Sequence, residues 1–88
     1  MNHKHRKVLH SLFSHPIPAN LSLREVETVL KELGATLEER HNSRVAVTLQ
    51  GHTVLFHHAQ HSLPKQEVQQ IRKFLETCEI DPGRDYPL

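Results

Sequence analysis

From Lys4 onward the apolar residues fall at Val8, Leu9, Leu12 and Phe13, a spacing of i, i+1, i+4 and i+5 that makes one helical stripe. A short leading helix over about 4–14 is expected. His15-Pro16-Ile17-Pro18 ends it, because residues before prolines avoid the α region. The next start signal is stronger: Ser22 and Glu25 form an S-x-x-E capping box, with Leu21 and Val26 as the hydrophobic staple around it. Leu23, Val26, Val29, Leu30 and Leu33 then line one face and Gly34 is a left-handed stop, which predicts a helix over 22–33.

After Gly34 the period shortens to two. Ala35 to Arg40 reads as a first strand with Ala35 and Leu37 inward, and His41-Asn42-Ser43 is turn chemistry. Residues 44–49 alternate strictly, with Val45, Val47 and Leu49 on one face and Arg44, Ala46 and Thr48 on the other. Gln50-Gly51 closes a tight hairpin, since glycine tolerates positive φ, and residues 52–58 return as the third strand. That turn sets Leu49 against His52, Val47 against Val54 and Val45 against Phe56 on an almost wholly apolar face. Arg44 meets His57, Ala46 meets Leu55 and Thr48 meets Thr53 on the other. A slip by one residue would turn Val45, Val47 and Phe56 outward. A last helix is predicted from Ser62 to Thr77, with Pro64 in its first turn and Val68, Ile71, Phe74, Leu75 and Cys78 buried. Asp81-Pro82-Gly83 breaks any continuation, leaving 81–88 as a loose tail. The expectation is an α+β chain: helices around a three-stranded antiparallel sheet, in the order α-β-β-β-α behind a short extra helix.

Length limits what such a chain can hold. Its 88 residues make a single domain over 1–88, and a domain of this size buries only about 60% of its unfolded surface. That leaves no room for a deep cofactor pocket, and no small-molecule cofactor is expected. The single cysteine, Cys78, excludes an internal disulfide and a cysteine-based zinc site. No stretch approaches the roughly 20 apolar residues that span a bilayer, and the basic start lacks a signal-length apolar run. A cytoplasmic address without membrane attachment is the resulting expectation.

The net charge of +1 says little about partners, but its distribution says more. Between Glu39 and Glu67 there is no carboxylate, while Arg40, Arg44 and Lys65 stand there with five histidines. Residues 1–24 are also acid-free, whereas the end of the chain carries Glu76, Glu79, Asp81 and Asp85 against Arg84. A polyanion's phosphates require such an acid-free stretch, because each carboxylate in it would repel them. A chance gap among surface charges is the competing explanation.

Nine histidines call for a reading of their own. The tightest group is His57-His58-x-x-His61, but a metal needs three or four convergent ligands, and His57 and His58 point to opposite faces of a strand. Solvated surface histidines are the ordinary reading, and no metal site is assigned. His57 beside Arg44 suggests other chemistry. Facing residues of an antiparallel pair hold their Cβ atoms about 4.5–5.5 Å apart. Arginine forks a phosphate and stabilises charge on its oxygens, and a histidine near neutrality can move the proton of an RNA 2′-hydroxyl. The bland alternative is an exposed cross-strand pair with no task. Cys78 sits on the core stripe and is read as packing. Gly-x-Ser-x-Gly, P-loop and dinucleotide fingerprints are absent from the sequence, and a helix-turn-helix does not fit the strands.

Helix 22–33 ending in Leu33-Gly34-Ala35, then Asn42-Ser43-Arg44-Val45, a hairpin, His57-His58 and helix 64–77 resembles the HicA toxin family of bacterial toxin–antitoxin pairs. The likeness covers about residues 20–80 and rests on the order and spacing of short motifs. It implies a fold like a double-stranded-RNA-binding domain. It also implies a metal-independent mRNA interferase, an endoribonuclease that halts translation and is held by a HicB-type antitoxin. The family uses a histidine after a Gly-Ser pair at the start of the second strand; here that place reads Asn42-Ser43-Arg44. Ser43 matches, while Arg44 stands for the histidine and cannot be a general base because it stays protonated. Either the base has moved, with His57 or His58 as candidates, or the protein binds RNA without cutting it. His58 aligns with the histidine ending the family's third strand; His57 faces Arg44. Ser43, Arg40, Lys65 and Arg72 are the expected RNA contacts. A non-catalytic RNA- or protein-binding module and a metal-binding domain are the competing functions.

Overall fold

The structure, a computed structural model, describes residues 1–18, 21–41, 44–57 and 63–88, His57 through its backbone. Helix α1 (His3–Leu12) starts where the Asn2 side chain accepts from the His5 N–H at 2.8 Å, and it buries Val8, Leu9 and Leu12. Helix α2 (Leu23–Glu32) is capped by Ser22, whose hydroxyl accepts from the Glu25 N–H at 3.4 Å. It ends in a Schellman arrangement: Gly34 at φ 101° donates to Lys31 O, and Ala35 N–H donates to Leu30 O. The Glu25 carboxylate lies 3.6 Å from Lys4 Nζ and the Glu32 carboxylate meets His5 Nδ1, so one ion pair and one histidine–carboxylate contact tie α1 to α2.

Strands β1 (Thr36–Arg40), β2 (Arg44–Leu49) and β3 (His52–His57) form one antiparallel sheet in the order β1-β2-β3. Gln50 at φ 52° and Gly51 at φ 81° give the two positive-φ positions of a type I′ turn, whose twist matches that of the strands it joins. The register is the expected one throughout, from Leu49 against His52 to Arg44 against His57. Val45, Val47, Leu49 and Phe56 are buried, while Arg44, Thr48, Thr53 and Leu55 are exposed. Ala46 departs from the alternation: it lies on the open face yet is only 2% exposed. Its lone methyl sits between the longer side chains of its register neighbours Glu38 and Leu55.

Helix α3 (Lys65–Thr77) buries Val68, Ile71, Phe74 and Leu75. It begins later than Ser62. Leu63 is buried and donates its N–H to Leu21 O at 3.0 Å, which holds it out of the helix, and Pro64 at ψ 151° is the extended cap. The expected loose tail is corrected as well. Pro82–Asp85 forms a one-turn helix, α4, because Asp81 caps it by accepting from the N–H groups of Gly83 (3.0 Å) and Arg84 (3.3 Å). Asp-Pro thus starts a helix here, with proline at its first position, where a missing N–H costs nothing. Pro82 is buried, and His10 Nε2 on α1 donates to Tyr86 O at 2.8 Å. That bond requires the proton on Nε2, since a carbonyl only accepts.

Helix α2 packs on β1 and α3 on β3, while α1 contacts α2, α3 and α4 and no described strand. Among the described residues one face of the sheet is therefore covered and the other stays open, with one apolar cluster between sheet and helices. Among the described residues no helix is long and apolar enough to cross a membrane.

Candidate nucleic-acid interface

The open face is built in rows, because the two registers align three strands at once. Thr36, Thr48 and Thr53 form one row, Glu38, Ala46 and Leu55 the next, and Arg40, Arg44 and His57 the last. Pairs alternate between hydrogen-bonded and closer non-hydrogen-bonded types, starting with the bonded pair Leu49–His52 beside the turn. Thr48–Thr53 and Arg44–His57 are therefore of the close type, and the hydroxyls of Thr48 and Thr53 lie 3.1 Å apart. At the far end of the hairpin the same alternation brings Arg44 and His57 to neighbouring backbone positions, with Arg40 on Arg44's other side.

Arg44 is exposed and has no carboxylate partner among the described residues. Arg40 does have one: its Nε lies 3.5 Å from Glu38 Oε1, both side chains more than half exposed. An exposed pair of this kind is worth little, so Arg40 can exchange Glu38 for a phosphate. The sequence gap from Glu39 to Glu67 conceals this carboxylate. Period-two reading of β1 reveals it, since Thr36, Glu38 and Arg40 share a face.

The other expected contacts divide. Lys73 and Thr77 of α3 border His52–Leu55 of β3, so helix and strand run antiparallel and Lys65 lies toward the His57 end. Lys65 is exposed at the end of α3 that lies toward the row; Arg72 is turned elsewhere. Its Nη1 donates to His15 Nε2 at 3.2 Å, in the segment after α1, on the helical side of the molecule. Ser43 and His58 lie outside the described residues, as do Asn42, His61 and the side chain of His57. Among the described residues no group of three or more His, Cys, Asp or Glu is placed to hold a metal ion. Cys78 packs in the core with its thiol donating to Leu49 O at 3.4 Å, and burial pushes its pKa up, away from a reactive thiolate.

This end of the sheet can do two things chemically. Its two guanidiniums can fork a phosphodiester, and its histidine position can supply a proton carrier next to them. Comparison with protein-family models, with curated proteins and with solved structures finds no match to this chain.

Proposed function

We propose that this chain is a HicA-like toxin, a metal-independent endoribonuclease that cuts mRNA in the cytoplasm, blocks translation and is neutralised by a HicB-type antitoxin. The observation that carries the reading is the row Arg40–Arg44–His57 on an uncovered sheet face, with Lys65 toward the same end. In this reading Arg44 forks the scissile phosphate, and Arg40 and Lys65 hold its neighbours. A histidine, His57 or His58, takes the proton of the 2′-hydroxyl. The freed oxygen attacks phosphorus, the bond to the 5′-oxygen breaks, and that oxygen takes a proton from solvent water. The products are a 2′,3′-cyclic phosphate and a 5′-hydroxyl, with no change in oxidation state.

A second reading is a non-catalytic RNA- or protein-binding module of the same architecture. What favours it is Arg44 itself, which stands where the resembled family keeps its histidine and holds its proton at any useful pH. Incubating purified protein with RNA separates the two. Cleavage is expected, and it stops when the 2′-hydroxyl at the cut is replaced by hydrogen. Replacing the general base, His57→Ala or His58→Ala, lowers the rate by about 10²- to 10⁴-fold. Intact RNA under excess wild-type protein, together with harmless expression in cells, leaves only the binding module.

A further inference from the structure

Among the described residues both outer strands have a free edge, but the two edges are different. On β1, Glu38, Glu39 and Arg40 make three of five residues charged, which discourages another strand from pairing there. The edge of β3 reads His52-Thr53-Val54-Leu55-Phe56-His57, with no proline, lysine or carboxylate. Leu55 is 48% exposed, an unusual state for a large apolar side chain in mid-strand. The hydrogen-bonded pairs with β2 use the backbone of His52, Val54 and Phe56. The N–H and C=O groups of Thr53 and Leu55 therefore point to the unoccupied side.

Beside this edge runs an open groove of about 380 Å³, walled by β3 and by Gln70, Lys73, Phe74 and Thr77 of α3. Its floor is apolar, through Val54 and Phe74, and its rim is cationic or neutral with no carboxylate in the lining. The Lys73 ammonium has no carboxylate partner among the described residues.

We infer that the β3 edge is a docking site for an extended segment of a partner protein, added as a fourth strand. The segment is acidic and apolar by turns: its apolar side chains lie over Leu55 on the open face, and its carboxylates turn to the groove side, where they pass Lys73. Backbone bonds to Thr53 and Leu55 supply the pairing, and the groove and Lys73 supply the selection. Charge decides against a second copy of this chain as occupant, because symmetric pairing would bring together two Lys73 rims with no carboxylate between them. The inference does not depend on RNA cleavage.

The test uses the full chain labelled with ¹⁵N and a synthetic peptide of about seven residues, a usual strand length, alternating Leu or Val with Asp. Binding should slow hydrogen exchange at the Thr53 and Leu55 amides by at least about tenfold and leave β1 unchanged. Lys73→Glu, an exposed change that circular dichroism should show folded, should weaken binding by about fivefold, and Leu55→Ser should weaken it too. A peptide with Lys in place of Asp should not bind. The inference is overturned by protection at β1 instead, by equal binding of the Lys peptide, or by unchanged Thr53 and Leu55 amides at saturating peptide. Protection of those amides without peptide, in a chain that sediments as a dimer, would replace the partner by a second copy.

Discussion

Glu79 occupies a backbone position that glycine holds elsewhere in the same molecule. After α3, Glu79 at φ 60° donates its N–H to Glu76 O and Ile80 donates to Leu75 O, the same closure that Gly34 and Ala35 make after α2. A left-handed residue with a Cβ costs about 1–2 kcal/mol, part of which glycine returns as backbone entropy lost on folding. Glu79→Gly should therefore stabilise the protein by about 0.5–1 kcal/mol. A thermal melt should rise by several degrees, given about 4–8 °C per kcal/mol for a domain of this size. The Glu79 carbonyl that accepts from Arg84 Nη2 at 2.9 Å belongs to the backbone and survives the change. Cys78 makes the opposite point, that a chemically capable side chain can be silenced by its surroundings. It is 1% exposed and its thiol is pushed toward the neutral form. A maleimide should label it only in step with unfolding by urea; rapid labelling of the folded protein would contradict the packing described.

The elements differ in how openly the sequence announces them. Helix α2 and the β2–β3 hairpin are legible because each carries a local signal with one physical solution: Ser22 and Gly34 bound the helix, and Gln50-Gly51 with strict alternation leaves one register that buries Val45, Val47 and Phe56. The start of α3 is not, because Leu63 is held extended by a backbone bond to Leu21, a contact across 42 positions of chain (63 − 21) that no local pattern contains. Helix α4 is hidden for another reason. Asp81-Pro82 reads as a breaker of the helix before it, although the same dipeptide caps a new turn after it. The stability of α4 has a pH dependence of definite sign. The Asp85 carboxyl sits below its ordinary range, first because it accepts from the Arg84 side chain and then because it accepts from the Asp81 N–H. A depressed folded-state value contributes stability at pH above the ordinary carboxylate range and loses it as pH falls through the folded value. Acidification should therefore loosen α4 before the rest of the chain, and Asp81→Ala should cost about 1 kcal/mol at neutral pH. Hydrogen exchange at Arg84, Asp85 and Tyr86 checks both outcomes.

At the scale of the whole molecule, the helical side is fastened and the sheet side is bare. Ion pairs and long-range hydrogen bonds gather on α1 and its neighbours, where Arg72 is engaged, while Arg44 stands without a carboxylate partner among the described residues on the open face. The candidate site is legible in part for this reason. Alternation gives which residues share a sheet face, but only tertiary packing gives which helix face turns away from it, so Lys65 lies toward the row and Arg72 away from it. Phosphate binding on the bare side has a measurable signature. If Arg40, Arg44 and Lys65 neutralise three phosphates of single-stranded RNA, log K should fall against log salt with a slope of about −2.1, and Arg44→Ala should flatten it by about 0.7. A slope near zero would assign the row no phosphate. The contact between α1 and Tyr86 has an optical consequence. The chain has one tyrosine and no tryptophan, so its emission on excitation in the tyrosine band, beyond the absorption of its phenylalanines, comes from a single ring at the junction of its first and last helices. Ultraviolet emission alone can then track the detachment of that corner, without any label, while the circular dichroism of the remaining helices reports on everything else.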